Sequence, residues 1–249
     1  MDAKQLTGKV AIVTGGGSGI GRATALGLAR EGASIAVADT DGQRAKAVAD
    51  EISEISEAID IAADVSHTDQ VDSMVEETVR RFGRLDIIVN NAGRAARGFV
   101  GEMADDTWDG VVAVNLRGTF LCSRAALRCM IPQRSGNILN TASGLGLRCS
   151  PGGAVYGASK AAIINFTKSL ALEVARYGIT VNAIAPGVTD TPFWRANRSE
   201  AEIEEAYRRG QVGQPEDFVP LVLFLCSEAG RVHSGITVDR EVYVQRGER

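Results

Sequence analysis

Histidine is almost missing: His67 and His233 are the only two in 249 residues. That scarcity argues against a His-rich metal site and against a serine–histidine–aspartate triad, and no metal is expected. Cys122, Cys129, Cys149 and Cys226 are scattered with no C-x-x-C pair, so a reduced, cytoplasmic setting is the simplest account. No uncharged apolar run reaches the roughly 18 residues that a membrane span needs. Met1-Asp2-Ala3-Lys4-Gln5 lacks the apolar core of a secretory signal. A formal charge of -4 without a basic stripe speaks against nucleic acid as a partner. What is present, 45% apolar residues over 249, suffices for one large α/β domain.

Strand-like runs alternate with helical ones along the chain. The strands are read at Val10–Thr14, Ser34–Ala38, Ile59–Ala63, Asp86–Asn90, Gly136–Thr141, Ile179–Ala185 and Ile236–Val238. Between them apolar residues recur at helical spacing, as in Val71, Met74, Val75, Thr78 and Val79. This alternation predicts a single doubly wound parallel sheet of about seven strands with helices on both faces. No repeat, linker or low-complexity tract interrupts it, so residues 1–249 are read as one domain.

The first strand runs into Gly15-Gly16-Gly17-Ser18-Gly19-Ile20-Gly21 and then into a helix-favouring stretch. Strand, glycine turn and helix together aim free backbone N–H groups at a phosphate. The spacing Gly15-x-x-x-Gly19-x-Gly21 is longer than G-x-G-x-x-G, and no Gly-Lys-Ser/Thr of a Walker A loop follows. The second strand ends at Asp39, whose carboxylate can accept from both hydroxyls of an adenosine ribose and would repel a 2′-phosphate. Neither Ser18 nor Thr40 supplies an offsetting cation, so NAD is expected over NADP. Asp41 fits better as a cap on the following helix.

Tyr156 and Lys160 stand four apart at the start of a long apolar helical pattern, on one helix face. A phenol acting as a base near neutrality must be favoured by about 4 kcal/mol. An ammonium about 5 Å away, at an effective dielectric near 20, supplies roughly 3 kcal/mol. The pair is therefore expected to be a general acid/base whose phenol is drawn down by Lys160. Ser143, just beyond the fifth strand, could fix a substrate oxygen and stabilise a developing alkoxide.

With these residues assembled, the chain resembles the short-chain dehydrogenase/reductase family of the classical type, over about residues 6 to 239. Thr14-Gly15-x-x-x-Gly19-Ile20-Gly21 is similar to the family's cofactor turn, Asp64-Val65 to its adenine-contacting pair, and Asn90-Asn91-Ala92-Gly93 to its tetrad after the fourth strand. Asn115, Ser143, Tyr156 and Lys160 fall where the family places four catalytic residues. Pro186-Gly187 with Thr189 and Thr191 resembles the loop that holds the nicotinamide carboxamide. The resemblance implies a Rossmann-type fold and NAD held by Gly15, Gly17, Ser18, Gly19, Ile20, Asp39, Asp64, Val65, Asn91, Ala92, Gly93, Tyr156, Lys160, Pro186, Gly187, Thr189 and Thr191. It also implies that Lys160 bonds the nicotinamide ribose, and that Asn115 sits at a helix kink whose water relays protons to Lys160.

Residues 190–213, carrying Phe193-Trp194, arginines and the acidic run from Glu200 to Glu205, occupy the family's lid position. Arg94, Arg97, Arg148 and Arg195 are read near the cleft entrance, with Leu145, Leu147, Phe193 and Trp194 on its wall. The end of the chain departs from the family's Val-Asp-Gly-Gly: it reads Val238-Asp239-Arg240-Glu241. The expected activity is NAD-dependent interconversion of a secondary alcohol and a ketone. The rivals are a 3-oxoacyl thioester reductase and a non-catalytic dinucleotide-sensing protein. The helical runs Thr107–Met130 and Val155–Tyr177 are apolar on more than one face, so a homodimer or homotetramer is expected, with no nucleic acid or membrane partner.

Overall fold

The computed structural model describes residues 4–196 and 198–240. Seven strands form one all-parallel sheet in the order β3-β2-β1-β4-β5-β6-β7. They are β1 (Val10–Thr14), β2 (Ser34–Asp39), β3 (Ala58–Ala62), β4 (Ile87–Asn90), β5 (Gly136–Thr141), β6 (Ile179–Ala185) and β7 (Thr237–Asp239). The expected third and seventh strands each shift by one residue. Register explains the first case, because Ile35 to Asp39 pair with Ala58 to Ala62. β4 starts one residue late, with Asp86 at its foot. There the buried carboxylate accepts the Val10 N–H on Oδ2 (3.1 Å) and Arg84 on both oxygens (2.7 and 2.6 Å).

Alternate side chains of each strand point to opposite faces. Ala11 and Val13, with Ile35, Val37, Ile87 and Val89, pack under α1 (Gly19–Arg30), α2 (Gly42–Ser53) and α9 (Val219–Cys226). Ile12, Ala36, Ile88, Ile138 and Val181 pack under α3 (Thr68–Phe82), α5 (Gly118–Gln133) and α6 (Ala154–Val174). The chain builds β1, β2 and β3 outward in one direction, then crosses to lay β4 on the other side of β1. That reversal opens a crevice beyond the carboxyl ends of β1 and β4.

The helix expected over Thr107 to Met130 is interrupted. α4 (Asp105–Val112) passes through a π-helical turn, Ala113–Arg117, before α5 begins. The short α7 (Pro192–Arg195) and α8 (Glu200–Arg208) follow β6 within the expected lid. No helix of the described residues is long and apolar enough to cross a membrane. Of the unusual carboxyl-terminal segment, Val238, Asp239 and Arg240 are seen, and the part from Glu241 onward lies outside the described residues.

A polar ladder that periodicity does not signal runs between the sheet and its helices. Asn90 Nδ2 donates to Asn140 Oδ1 (2.8 Å) and Ser123 Oγ (3.0 Å), and Asn140 Nδ2 donates to Thr167 Oγ1 (2.9 Å). All four residues are buried, so each bond lacks competition from water. Asn140→Ala should therefore cost about 1–3 kcal/mol in urea unfolding, from the amide donors and acceptors left unpaired. A change under about 0.5 kcal/mol would show that the ladder is not coupled to the core.

Candidate active site

One cavity of about 760 Å³ lies beyond the carboxyl ends of β1, β2, β4, β5 and β6. Its floor is fastened by the last residue of β1. Thr14 Oγ1 donates to the Val89 carbonyl (3.2 Å) and accepts from the N–H groups of Asn91 (3.0 Å) and Ala92 (3.1 Å). Asn91 returns the tie, its Nδ2 donating to the carbonyls of Thr14 (3.1 Å) and Gly15 (3.2 Å). Gly21 completes this contact, since a Cβ there would sit 2.6 Å from Asn91 Nδ2. Asn91 thus lines the cavity while its amide braces the glycine turn, and Thr14, absent from the expected set, is the hub.

Gly15, Ser18, Gly19 and Ile20 line the cavity beside the amino end of α1. The first-turn N–H groups of such a helix have no carbonyl four residues back within it, which suits a phosphate. Gly15 and Gly19 have φ of +62° and +52°, where a side chain would be strained. Gly17 is not brought to the cavity: its N–H is spent on Asp39 Oδ2 (3.0 Å). Asp39 also accepts the Asp41 N–H on Oδ1 (3.0 Å), so it holds the turn as well as facing the cavity. Each carboxylate oxygen keeps further acceptor capacity for a diol. Asp41 is the cap of α2, accepting from the N–H groups of Gln43 and Arg44. Arg44, beside Gly17 and bound to Asp41 at 3.0 Å, is a nearby cation that strand-end reading missed.

Asp64 and Val65 line the same end. Ser66 satisfies Asp64 through its N–H (2.9 Å) and hydroxyl (2.7 Å). Ala92 and Gly93 line the middle, and Pro186, Gly187, Thr189 and Thr191 the far wall. The far loop reaches back to the glycine turn, because a Cβ on Gly19 would lie 2.9 Å from Thr191 Cγ2.

Ser143, Tyr156 and Lys160 converge on this cavity. Tyr156 sits in the first turn of α6, one turn before the fully buried Lys160, whose Nζ lies 5.7 Å from the phenol ring centroid and donates to the Thr141 carbonyl (2.7 Å). A tight turn at Gly144–Gly146 presses on α6, since a Cβ on Gly146 would meet the Lys160 backbone at 2.7 Å. That approach sets Ser143 against Tyr156, with Ser143 Oγ also accepting the Leu145 N–H (3.2 Å). The small residues of Ser143-Gly144-Leu145-Gly146 were the available signal for it.

Electrostatically the pair departs from expectation. Burial pushes the Tyr156 phenol above its ordinary range, and the hydrogen bond with Ser143 draws it only part of the way back. Burial also pulls the Lys160 ammonium down to about 8. Desolvation of both charges thus opposes the attraction by which a nearby ammonium would bring the phenol down.

Asn115 is fully buried at the π-helical turn, not solvent-facing. Its Oδ1 accepts the Arg94 N–H (2.8 Å), and its Nδ2 donates to the Arg94 carbonyl (3.0 Å) and Ser159 Oγ (2.9 Å). Ser159 donates onward to the Tyr156 carbonyl (2.7 Å), linking the turn to α6. Gly93 separates Asn115 from Lys160: a Cβ there would be 3.5 Å from Asn115 Oδ1 and 3.7 Å from Lys160 Nζ. Leu145, Phe193 and Trp194 line the cavity, with Phe193 6.2 Å from Tyr156 between ring centroids, whereas Leu147 is exposed outside it. Arg94, Arg97 and Arg148 reach the cavity; Arg195 does not, being held by Asp190 together with Tyr207, and Arg198 takes that place.

The short chain dehydrogenase family model matches residues 9–202. A (2S)-[(R)-hydroxy(phenyl)methyl]succinyl-CoA dehydrogenase subunit from Thauera aromatica is 36% identical over 96% of both chains. A 3-oxoacyl-[acyl-carrier-protein] reductase from Thermotoga maritima is 37% identical over 93% of this chain and 95% of its own. Among solved structures, a short-chain type dehydrogenase/reductase from Mycobacterium marinum superposes with a TM-score of 0.90 at 33% identity, covering 96% of both chains. An NAD+-bound xylitol dehydrogenase superposes at 0.89 with 34% identity, covering 95% of this chain and 98% of its own.

The depressed Lys160 titration carries a sign for stability. Between about 8 and the ordinary lysine range of about 10.4 the unfolded chain holds this proton and the folded chain does not, so its contribution makes stability rise with pH there. Melting temperatures of the protein and of Lys160→Met, compared at pH 7 and pH 10, should show the difference moving in favour of the unsubstituted protein at pH 10. A pH-independent difference would contradict the buried, depressed ammonium.

Proposed function

The chain belongs to the short chain dehydrogenase family, and from that premise we propose that this oxidoreductase is NAD-dependent and interconverts a secondary alcohol and a ketone. The observation that carries the reading is one cavity holding Asp39 at one end and Ser143, Tyr156 and Lys160 at the other. The donor set suits a dinucleotide: a helix amino end for the pyrophosphate, an acceptor carboxylate for the adenosine ribose, and the loop at Pro186–Thr191 for the carboxamide. Bound there, the nicotinamide supplies hydride acceptance and donation. Lys160 holds the nicotinamide ribose, and Ser143 holds the substrate oxygen beside the Tyr156 hydroxyl. Tyr156 takes the proton from the alcohol, or returns it to the ketone. Asn115 fixes the loop at Arg94 and the start of α6, and Gly17 acts by shaping the turn. Residues 190–213 form the lid.

A second reading, reduction of a 3-oxoacyl thioester, is favoured by relatives of that name at 37–40% identity. Asp39 weighs against it where such a reduction draws on a 2′-phosphorylated cofactor. The Tyr156 and Lys160 arrangement weighs against a non-catalytic sensor. At least a dimer is inferred, because Phe120 on α5 and Leu172 on α6 are 43% and 83% exposed.

Two measurements test this reading. In binding titrations NADH should bind at least about 10-fold tighter than NADPH, and Asp39→Ala should narrow that gap; equal affinities in the unsubstituted protein would remove the NAD assignment. Tyr156→Phe should lower turnover by about two orders of magnitude or more with NADH affinity retained. Near-normal turnover in that variant would remove Tyr156 from the chemistry.

A further inference from the structure

The charged residues of the cavity are segregated. Its carboxylates, Asp39 and Asp64, both lie at the ends of β2 and β3, on the side assigned above to adenosine. Around Tyr156 the lining carries arginines and no carboxylate. Arg94 and Arg97 come from the segment after β4, and Arg198 from the connection between α7 and α8. The base of the first segment is pinned by the two hydrogen bonds between Asn115 and the Arg94 backbone.

Arg198 is built into the wall. Its guanidinium lies 4.9 Å from the Trp194 ring centroid and donates to the Trp194 carbonyl (2.5 Å), while Trp194 itself is buried. Burial and the neighbouring charge of Arg97 both press the Arg198 guanidinium below its ordinary range. The carboxylate closest to this pair in effect, Glu202, spends Oε2 on the Ser199 N–H (2.8 Å) and hydroxyl (2.9 Å) as a helix cap. No ion pair within 4 Å joins it to Arg97 or Arg198 among the described residues. Arg97, which is exposed, and the half-buried Arg198 thus line one part of the cavity, and an anion placed between them would be attracted by both.

We propose that Arg97 and Arg198 bind an anionic group of the substrate, so that the enzyme acts on secondary alcohols or ketones carrying a carboxylate or a phosphate. The inference rests on the alcohol–ketone reading and adds the substrate class. Guanidinium groups bind either anion through charge-assisted paired hydrogen bonds, and such an anchor would leave the carbinol beside Ser143 and Tyr156. Phe193, 6.2 Å from Tyr156 between ring centroids, offers an apolar wall to the carbon chain in between.

The test compares 3-hydroxybutyrate, 3-hydroxybutyryl-CoA and neutral methyl 3-hydroxybutyrate as substrates with NAD. At least one anionic compound should exceed the neutral ester in kcat/KM by about 10-fold or more, mainly through KM, with the advantage shrinking as salt is raised. Which anionic compound it is separates a free carboxylate from the phosphates of a coenzyme A thioester. In Arg97→Gln/Arg198→Gln the anionic-to-neutral ratio should fall by about 10-fold or more, and Arg198→Lys should recover part of it. An anionic-to-neutral ratio near one, or one untouched by the double substitution, overturns the proposal. Titration of the NADH complex with acetoacetate, acetoacetyl-CoA and methyl acetoacetate gives the same ratio without turnover. If no alcohol is oxidised, the alcohol–ketone reading fails, while this binding preference, or its absence, still decides the anion site.

Discussion

The crevice depends on how β1 is fastened to β4. These strands are neighbours in the sheet but distant in sequence, and the chain leaves them in different directions. Their carboxyl ends would be free to splay if only the ladder held them. Thr14 prevents this by serving three backbone groups of β4 and its exit with one hydroxyl, and Asn91 answers with its side-chain amide. The glycine turn lies directly on that junction. Gly15 and Gly21 are required there because a Cβ would strike Asn91 or the turn's own backbone. The width of the cavity is thereby set by hydrogen bonds that tie the buried Thr14 to the partly buried Asn91 and Ala92.

The opposite wall is set by close approach of a different kind. Gly146 lets a tight turn touch the backbone of α6 at Lys160, and this carries Ser143 to Tyr156. Lys160 donates to the Thr141 carbonyl, and burial pulls its ammonium down to about 8. Tyr156 is likewise held in its neutral form by burial. On the proposed reading, a proton acceptor of this kind would favour alkaline conditions for alcohol oxidation, unless positive charge enters the cavity with the cofactor. The proposed acid–base function would then belong to the loaded site, in which nearby cation and phenol share a low-dielectric space.

Much of this was legible in the sequence because it is carried by periodicity and by residue types with few other uses. Strand alternation gave the sheet to within a residue at each end, and the glycine turn with Asp39 marked the reversal point. What stayed hidden was tertiary. Nothing local distinguishes Thr14 as a hub, because its partners lie more than 70 positions away. A helix kink at Asn115 was expected only from the resemblance; nothing local points to the Arg94 backbone, 21 positions away, that pairs with its side chain at the π-helical turn. Arginine positions near a cleft were readable only as a group. Arg195 turned to Asp190, and Arg198, three residues on, took the cavity wall by stacking on Trp194.

On the proposed reading, the two ends of one cavity hold one dinucleotide, adenosine at Asp39 and nicotinamide at Lys160. A crystal structure of the complex with NAD+ tests it most directly. The adenosine ribose hydroxyls should lie within hydrogen-bonding distance of Asp39, and the nicotinamide ribose within reach of Lys160 Nζ beside Tyr156. A dinucleotide bound in the reverse direction, or outside this cavity, would contradict it.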